Sequence, residues 1–363
     1  MLNERRHDVD SLRAIALFLL IAYHLAVSFM SWAPLVFFIP NNRSIDLLWV
    51  PMSMINTWRI PILFLISGIA FRFSFQKRSL KEVIKERLKV LGIPLLFGYF
   101  TSGALVVYLV TLFWERKGEG EAMYAPATLH LWFLSNIILY SLLFVLVVKF
   151  IPLFREKSKY ISKLLSKRGG IFIFSIPIIY EGHLLEILPE WYSLGYEFFV
   201  DTLHGFLLGG IWFLLGIILT SQGEIFWESN KLNWKIHGVI AFSLYIYRYF
   251  NSFEDIDNRI IAFESFNFIF LALGLGSVYL NKESSQLDYY KTAIFPVYIV
   301  HYPIQYALMF YLGGWNLNPW IKYFLFLFLI CFLSLTFYHA IKNIRILRPL
   351  FGLRNKPKKD IDG

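Results

Sequence analysis

Cysteine is nearly absent from the 363 residues: Cys331 stands alone, inside the apolar run FLFLFLICFLSL. A single thiol excludes an intramolecular disulfide framework and a cysteine-rich metal site. Charge is scarce as well, at 17% of residues against about 25% in an ordinary soluble domain. Long polar stretches are missing: the longest, near 75–89 and 153–168, are too short to enclose a core and read as loops or interfacial helices. There is no Gly-rich phosphate loop closing on Lys-Ser/Thr, no H-E-x-x-H and no G-x-S-x-G elbow. Nor is there a fixed-period repeat, or the inverted pair of Gly/Pro-broken segments found in many transporters.

Apolar side chains fill the space these absences leave. Hydrophobic residues make up 57% of the chain and aromatics 19%, more than a soluble domain buries. A helix needs about 20 mainly apolar residues to cross a bilayer. Such stretches predict ten helices, near 9–31, 49–74, 91–113, 129–150, 170–188, 201–220, 235–251, 259–280, 292–312 and 320–342. The expected fold is therefore an all-α polytopic membrane protein. The opening MLNERRHDVD precedes an apolar stretch too long for a signal-peptide core and without a small-residue cleavage pattern, so it is taken as an uncleaved first span.

The formal charge of +10 is dispersed among short loops and a tail, which argues against a nucleic-acid partner. Lys and Arg favour cytoplasmic loops. One alternating set carries Arg5 and Arg6, then Lys77 to Lys89, then Arg155 to Arg168, then the tail from Arg345. The other set carries acids such as Glu119, Glu121, Glu186, Glu190 and Asp257. Both termini are accordingly expected in the cytoplasm, with an even number of spans.

Ionisable groups inside a bilayer are costly and mark functional sites by default. Arg13 and His24 are eleven residues apart, which returns to within about 20° of one helical face and separates them by ~16 Å of rise. Asp10 shares that face. Arg13 can be an interfacial anchor paired with Asp10, or part of a site. His24, aligned with an acid and an arginine, suits a general base better than simple interhelical glue. Arg59 has no acid in its own span, so its partner is another helix, a wet cavity or a substrate. Arg72 lies near the inner end of that span and can face an anionic ligand together with Arg87. His130, Glu181, His183, His204 and Glu264 fall at similar outer depth, and His301 lies deeper in FPVYIVHYPIQY. Together they predict a polar chamber. His237 and His339 fall near predicted boundaries, where interface anchoring is expected. The histidines are scattered over different helices, so no metal site is predicted.

Five blocks in order, DSLRAIALFLLIAYH, WRIPILFLISG, ERLKVLGIP, HLWFL and VYIVHYPI, resemble the acyltransferase 3 family of membrane acyltransferases. The tail IRILRPLFG is similar to the glucan-biosynthesis branch of that family. The resemblance implies an acyltransferase domain over 1–345, a short basic cytoplasmic tail over 346–363, and residence in a bacterial cytoplasmic (inner) membrane. It implies an acyl-CoA donor from the cytoplasm and a hydroxyl acceptor on a periplasmic or extracellular glycan, a glucan among the candidates. Acyl-CoA is a substrate, so no bound cofactor is expected; membrane lipids are the remaining partner. Succinyl or acetyl transfer follows as the expected reaction. His24 would be the base, or the nucleophile of a covalent acyl-histidine route that the sequence leaves open, with Arg59 the oxyanion donor and Asp10 a supporting acid. Arg13, Arg72, Arg87, His130, His301 and Glu181 are expected to bind substrate; for Glu181 this rests on depth alone. The alternative class is a transporter or flippase for an anionic or acylated precursor, using the same buried charges as ion sites.

Overall fold

A computed structural model describes residues 6–150 and 157–354, and every regular element among them is helical. In chain order these are α1 (His7–Val27), α2 (Trp49–Asn56), α3 (Arg59–Lys77), α4 (Leu80–Arg87), α5 (Ile93–Gly98), α6 (Ala104–Glu115) and α7 (Trp132–Phe150). There follow α8 (Lys159–Leu165), α9 (Ile176–Ile187), α10 (Leu203–Thr220), α11 (Glu224–Phe250), α12 (Asn258–Leu275), α13 (Ser285–Leu312) and α14 (Pro319–Ile341). Eight helical stretches among the described residues are long and apolar enough to cross a membrane: His7–Val27, Asp46–Gln76, Leu80–Glu115, Gly170–Ile187, Leu203–Thr220, Asn258–Leu280, Ser285–Leu312 and Pro319–Ile341. The protein is thus a multi-pass membrane protein.

The two remaining predicted spans are also helical, as α7 and the second half of α11. The apolar stretch at α7, Leu129–Val145 with the 3-10 turn that precedes the helix, is shorter, and α11 carries Glu224, Glu228, Lys231, Lys235 and Arg248. α11 starts well before the predicted 235, because Phe226, Trp227, Asn230 and Asn233 are buried. His237 is consequently in mid-helix and fully buried rather than at a boundary, donating from Nδ1 to Asn267 Oδ1 at 2.8 Å.

The chain forms two compact units. The first comprises Met1–Leu20, Trp49–Val83 and Leu139–Leu287; the second comprises Ile21–Leu48, Ile84–Ile138 and Asp288–Gly363.

In the first unit α3 packs on α10 at backbone distance. A Cβ on Gly68 would lie 2.0 Å from the Phe213 carbonyl oxygen, and one on Gly216 would lie 2.2 Å from that of Leu65. Small residues admit such approaches in lipid, where close packing replaces hydrophobic driving force. The predicted span 49–74 is broken at Thr57–Trp58. Pro61 is the cause: it has no N–H for the carbonyl four residues back, which belongs to Thr57. That carbonyl accepts instead from the Ser265 hydroxyl at 2.8 Å, and the restarted helix opens on Arg59.

In the second unit π-helical turns occur at Leu88–Gly92 and Tyr99–Gly103. The first precedes Pro94, whose ring clashes with an ordinary α-turn carbonyl. Within the predicted tail, Arg348–Phe351 forms a 3-10 turn whose Phe351 ring is buried against Phe97 and Phe337. Residues 355–363 lie outside the described residues.

Candidate active site

The second unit gathers three of the histidines singled out above. His24 stands near the end of α1, His130 in the 3-10 turn Leu129–Leu131 ahead of α7, and His301 in α13. Pro303 prepares α13 for them. Lacking an N–H, it leaves the Ile299 carbonyl without its helical donor, and His130 donates to that oxygen from Nε2 at 3.2 Å. One turn of helix therefore carries His301 and the carbonyls that orient two imidazoles.

Carbonyl oxygens only accept, which assigns the tautomers from the hydrogen-bond network. His301 donates from Nδ1 to Tyr298 O at 2.7 Å, so its Nε2 holds the lone pair. That lone pair receives Nδ1–H of His24 across 3.3 Å, with the two rings stacked at 9°. His24 is thereby left with its lone pair on Nε2. His301 is fully buried whereas His24 is half-buried, so the pair has an inaccessible orienting member and an accessible basic one. His130, bound through Nε2, keeps a lone pair on a buried Nδ1 that has no hydrogen-bond partner among the described residues.

Aromatic rings complete the wall. Tyr302 lies 4.6 Å from the His130 ring and 5.1 Å from that of His24, and Phe38 lies 6.3 Å from His24. Gln305 donates to the His24 carbonyl at 2.8 Å, fixing the end of α1. The Tyr298 hydroxyl donates to the His130 carbonyl.

The first unit holds a separate string of buried charges. Arg248, 2% exposed, donates to Glu264 at 2.9 Å and to Glu197 at 2.6 Å. Asn56 donates to the second Glu197 oxygen at 2.9 Å, and Arg59 donates from Nη1 to Asn56. Glu181 accepts the Tyr192 hydroxyl at 2.7 Å and pairs with His204, whose Nε2 donates to Tyr196 O at 2.9 Å. Burial pushes the phenols of Tyr192 and Tyr196 well up, and for Tyr192 the hydrogen bond to Glu181 adds to the rise.

The family description "Acyltransferase domain" matches residues 6–339. The chain belongs to the acyltransferase 3 family. Glucans biosynthesis protein C from Escherichia coli strain K12, from strain SMS-3-5 / SECEC and from O17:K52:H18 strain UMN026 / ExPEC are each 22% identical to it over 396 residues, covering 99% of this chain and 97% of theirs. No solved structure matches.

Membership of the acyltransferase 3 family makes the chain a membrane acyltransferase. The His24–His301 pair carries an imidazole nitrogen of assigned tautomer, a group of the kind general acid–base chemistry uses. Of the predicted site residues of this acyltransferase 3 chain, His24, His130 and His301 come together in the second unit, to which Arg87, half-buried at the end of α4, also belongs. Asp10, Arg13, Arg59, Arg72 and Glu181 belong to the first. Asp10 lies 3.9 Å from Arg13, and Arg72 donates from Nε to the Ser221 hydroxyl at 2.6 Å. No group of three metal-ligating side chains occurs among the described residues.

Sequence reasoning missed Arg248, Asn56 and the buried Lys322. The signal for Arg248 was present: an arginine inside the aromatic run YIYRYF is no more at home in an apolar helix than Arg59.

Proposed function

We propose that this protein moves a short acyl group, succinyl or acetyl, from acyl-CoA to a glycan hydroxyl, with His24 as general base. His24 Nε2 takes the proton of the acceptor hydroxyl while its oxygen attacks the thioester carbonyl carbon. The carbon–sulfur bond then breaks, and the departing thiolate recovers the proton from the imidazolium. Thioester and alcohol become ester and thiol, with nothing left on the enzyme.

The observation that carries this reading is the buried His301, which holds the proton of His24 on Nδ1 and presents the lone pair on Nε2. His130, its own Nδ1 lone pair unspent, is proposed to accept from a second hydroxyl of the acceptor. Arg87, which belongs to the same unit as His24, is proposed to contact donor phosphates, to which guanidinium groups are well matched. The relatives' name makes a glucan the first acceptor to test, and the loop charges support a bacterial cytoplasmic membrane with both termini inside.

The test is transfer of labelled succinyl or acetyl groups from the two CoA thioesters to a membrane glycan fraction, wild type against His24→Ala. Labelling by wild type with a loss of about 10²–10⁴-fold in the variant is expected for removal of a general base. Near-normal turnover by a folded variant would overturn the assignment. Solute flux in liposomes without covalent change would instead favour transport.

A further inference from the structure

The segment from Ser28 to Leu48 follows α1 directly and folds back over its end. Asn41 N–H bonds to Ser28 O at 2.7 Å and Ile45 N–H to Phe29 O at 2.7 Å. Phe38 points inward from it, buried against the rings of His24, Tyr302 and Tyr306 at 6.3, 5.9 and 5.4 Å. Phe38 thus sets an apolar ring of the strap beside the half-buried His24 imidazole.

Two pins hold it. The Tyr306 hydroxyl donates to Phe37 O at 3.1 Å. Phe37 has a φ of +68°, a left-handed conformation that costs a side-chain-bearing residue about 1–2 kcal/mol, so the turn needs such a restraint. Lys322 of α14 is the second pin. It is fully buried, and its ammonium donates to Asn41 Oδ1 at 2.8 Å, Asn42 Oδ1 at 3.0 Å and Gly313 O at 2.9 Å. All three acceptors are neutral oxygens, and two belong to the strap. A buried ammonium is tolerated only when its donors are satisfied, so releasing the strap also leaves this charge uncompensated. The strap is therefore held by a group that strongly favours its present position.

We infer that Lys322 is a positioning residue for acyl transfer: through Asn41 and Asn42 it holds Phe38 over His24, so that the acceptor hydroxyl rather than water reaches the base. This rests on the reading of His24 as that base. Loosening the strap lets water take the place of the acceptor: its proton goes to His24, its oxygen to the acyl carbon, and free acid and CoA thiol result.

The test measures acyl transfer and acyl-CoA hydrolysis side by side in the purified full chain, for wild type, Lys322→Met, Tyr306→Phe and His24→Ala. Both strap variants are expected to raise the hydrolysis-to-transfer ratio and the acceptor KM about tenfold, with the donor KM unchanged. Parallel loss of both reactions at a constant ratio would make Lys322 merely structural and overturn the inference. Should Lys322→Met not fold, Tyr306→Phe, which removes one hydroxyl, decides the matter by the same ratio. His24→Ala separates the two readings: loss of both reactions there keeps the base assignment even if the strap fails, and their retention removes the base assignment whatever the ratio shows.

Discussion

Pro303 and His130 are linked through a single atom, the Ile299 carbonyl oxygen, which the proline cannot bond and the imidazole Nε2–H takes at 3.2 Å. A residue that weakens a helix thus sets the orientation of a ring 173 positions earlier in the chain. Replacing Pro303 by Ala supplies an N–H that draws this carbonyl back into the helix. The expected result is about a tenfold fall in transfer rate, the equivalent of one weakened hydrogen bond, with an unchanged or higher thermal midpoint. Full activity in Pro303→Ala would show that His130 is not held this way.

In the proposed mechanism His301 acts through His24, so its replacements should grade by what they offer to Nδ1–H. Leu removes the acceptor and is expected to lower kcat by about 10–100-fold, with little change in KM for either substrate. Gln keeps an acceptor oxygen and should retain more of the rate. Equal loss in both variants would mean that packing, not the hydrogen bond, is what His301 contributes. Steady-state kinetics on the two variants separates the cases.

Arg248 should matter for stability. Removing it leaves Glu264 and Glu197 facing each other's environment with no cation between, and breaking such a buried pair costs about 3–5 kcal/mol. Arg248→Met is expected to unfold in detergent well below wild type. The double variant with Glu264→Gln should recover part of the loss, and a thermal shift series reads both. No recovery in the double variant would place the cost in packing around the guanidinium.

Glycine positions provide an internal contrast. Gly68→Ala puts a methyl 2.0 Å from Phe213 O, against backbone that cannot turn aside, whereas a Cβ at Gly92 meets nothing within 4 Å. The first substitution is expected to cost about 1–3 kcal/mol as overpacking, and the second to be neutral. Fluorescence-detected size exclusion after heating would check the pair.

Much of the fold was legible in the sequence. The predicted helical stretches correspond to helices because length and continuous apolarity are local properties, and a bilayer selects for them directly. His24 stood out for the same reason, as an ionisable group within an apolar run. Helix breaks were less legible. Pro61 and Pro303 could be seen, but not which partner would use the freed carbonyl, since that partner comes from Ser265 in one case and His130 in the other. The start of α11 is not legible because its polar residues, Asn230 and Asn233, are buried within the first unit, and hydropathy scores them as loop.

What the sequence by itself determined is the set of apolar helices, the positions where proline must interrupt them, and the few charged side chains that no lipid-facing surface would keep. Only the tertiary structure decided the pairings. His24 and His301 are 277 residues apart, Arg248 bonds to acids from a loop and from α12, and Lys322 finds three neutral oxygens. Each of these contacts exists because folding brought distant backbone together at fixed distance. A desolvated donor or acceptor must take the partner that packing supplies.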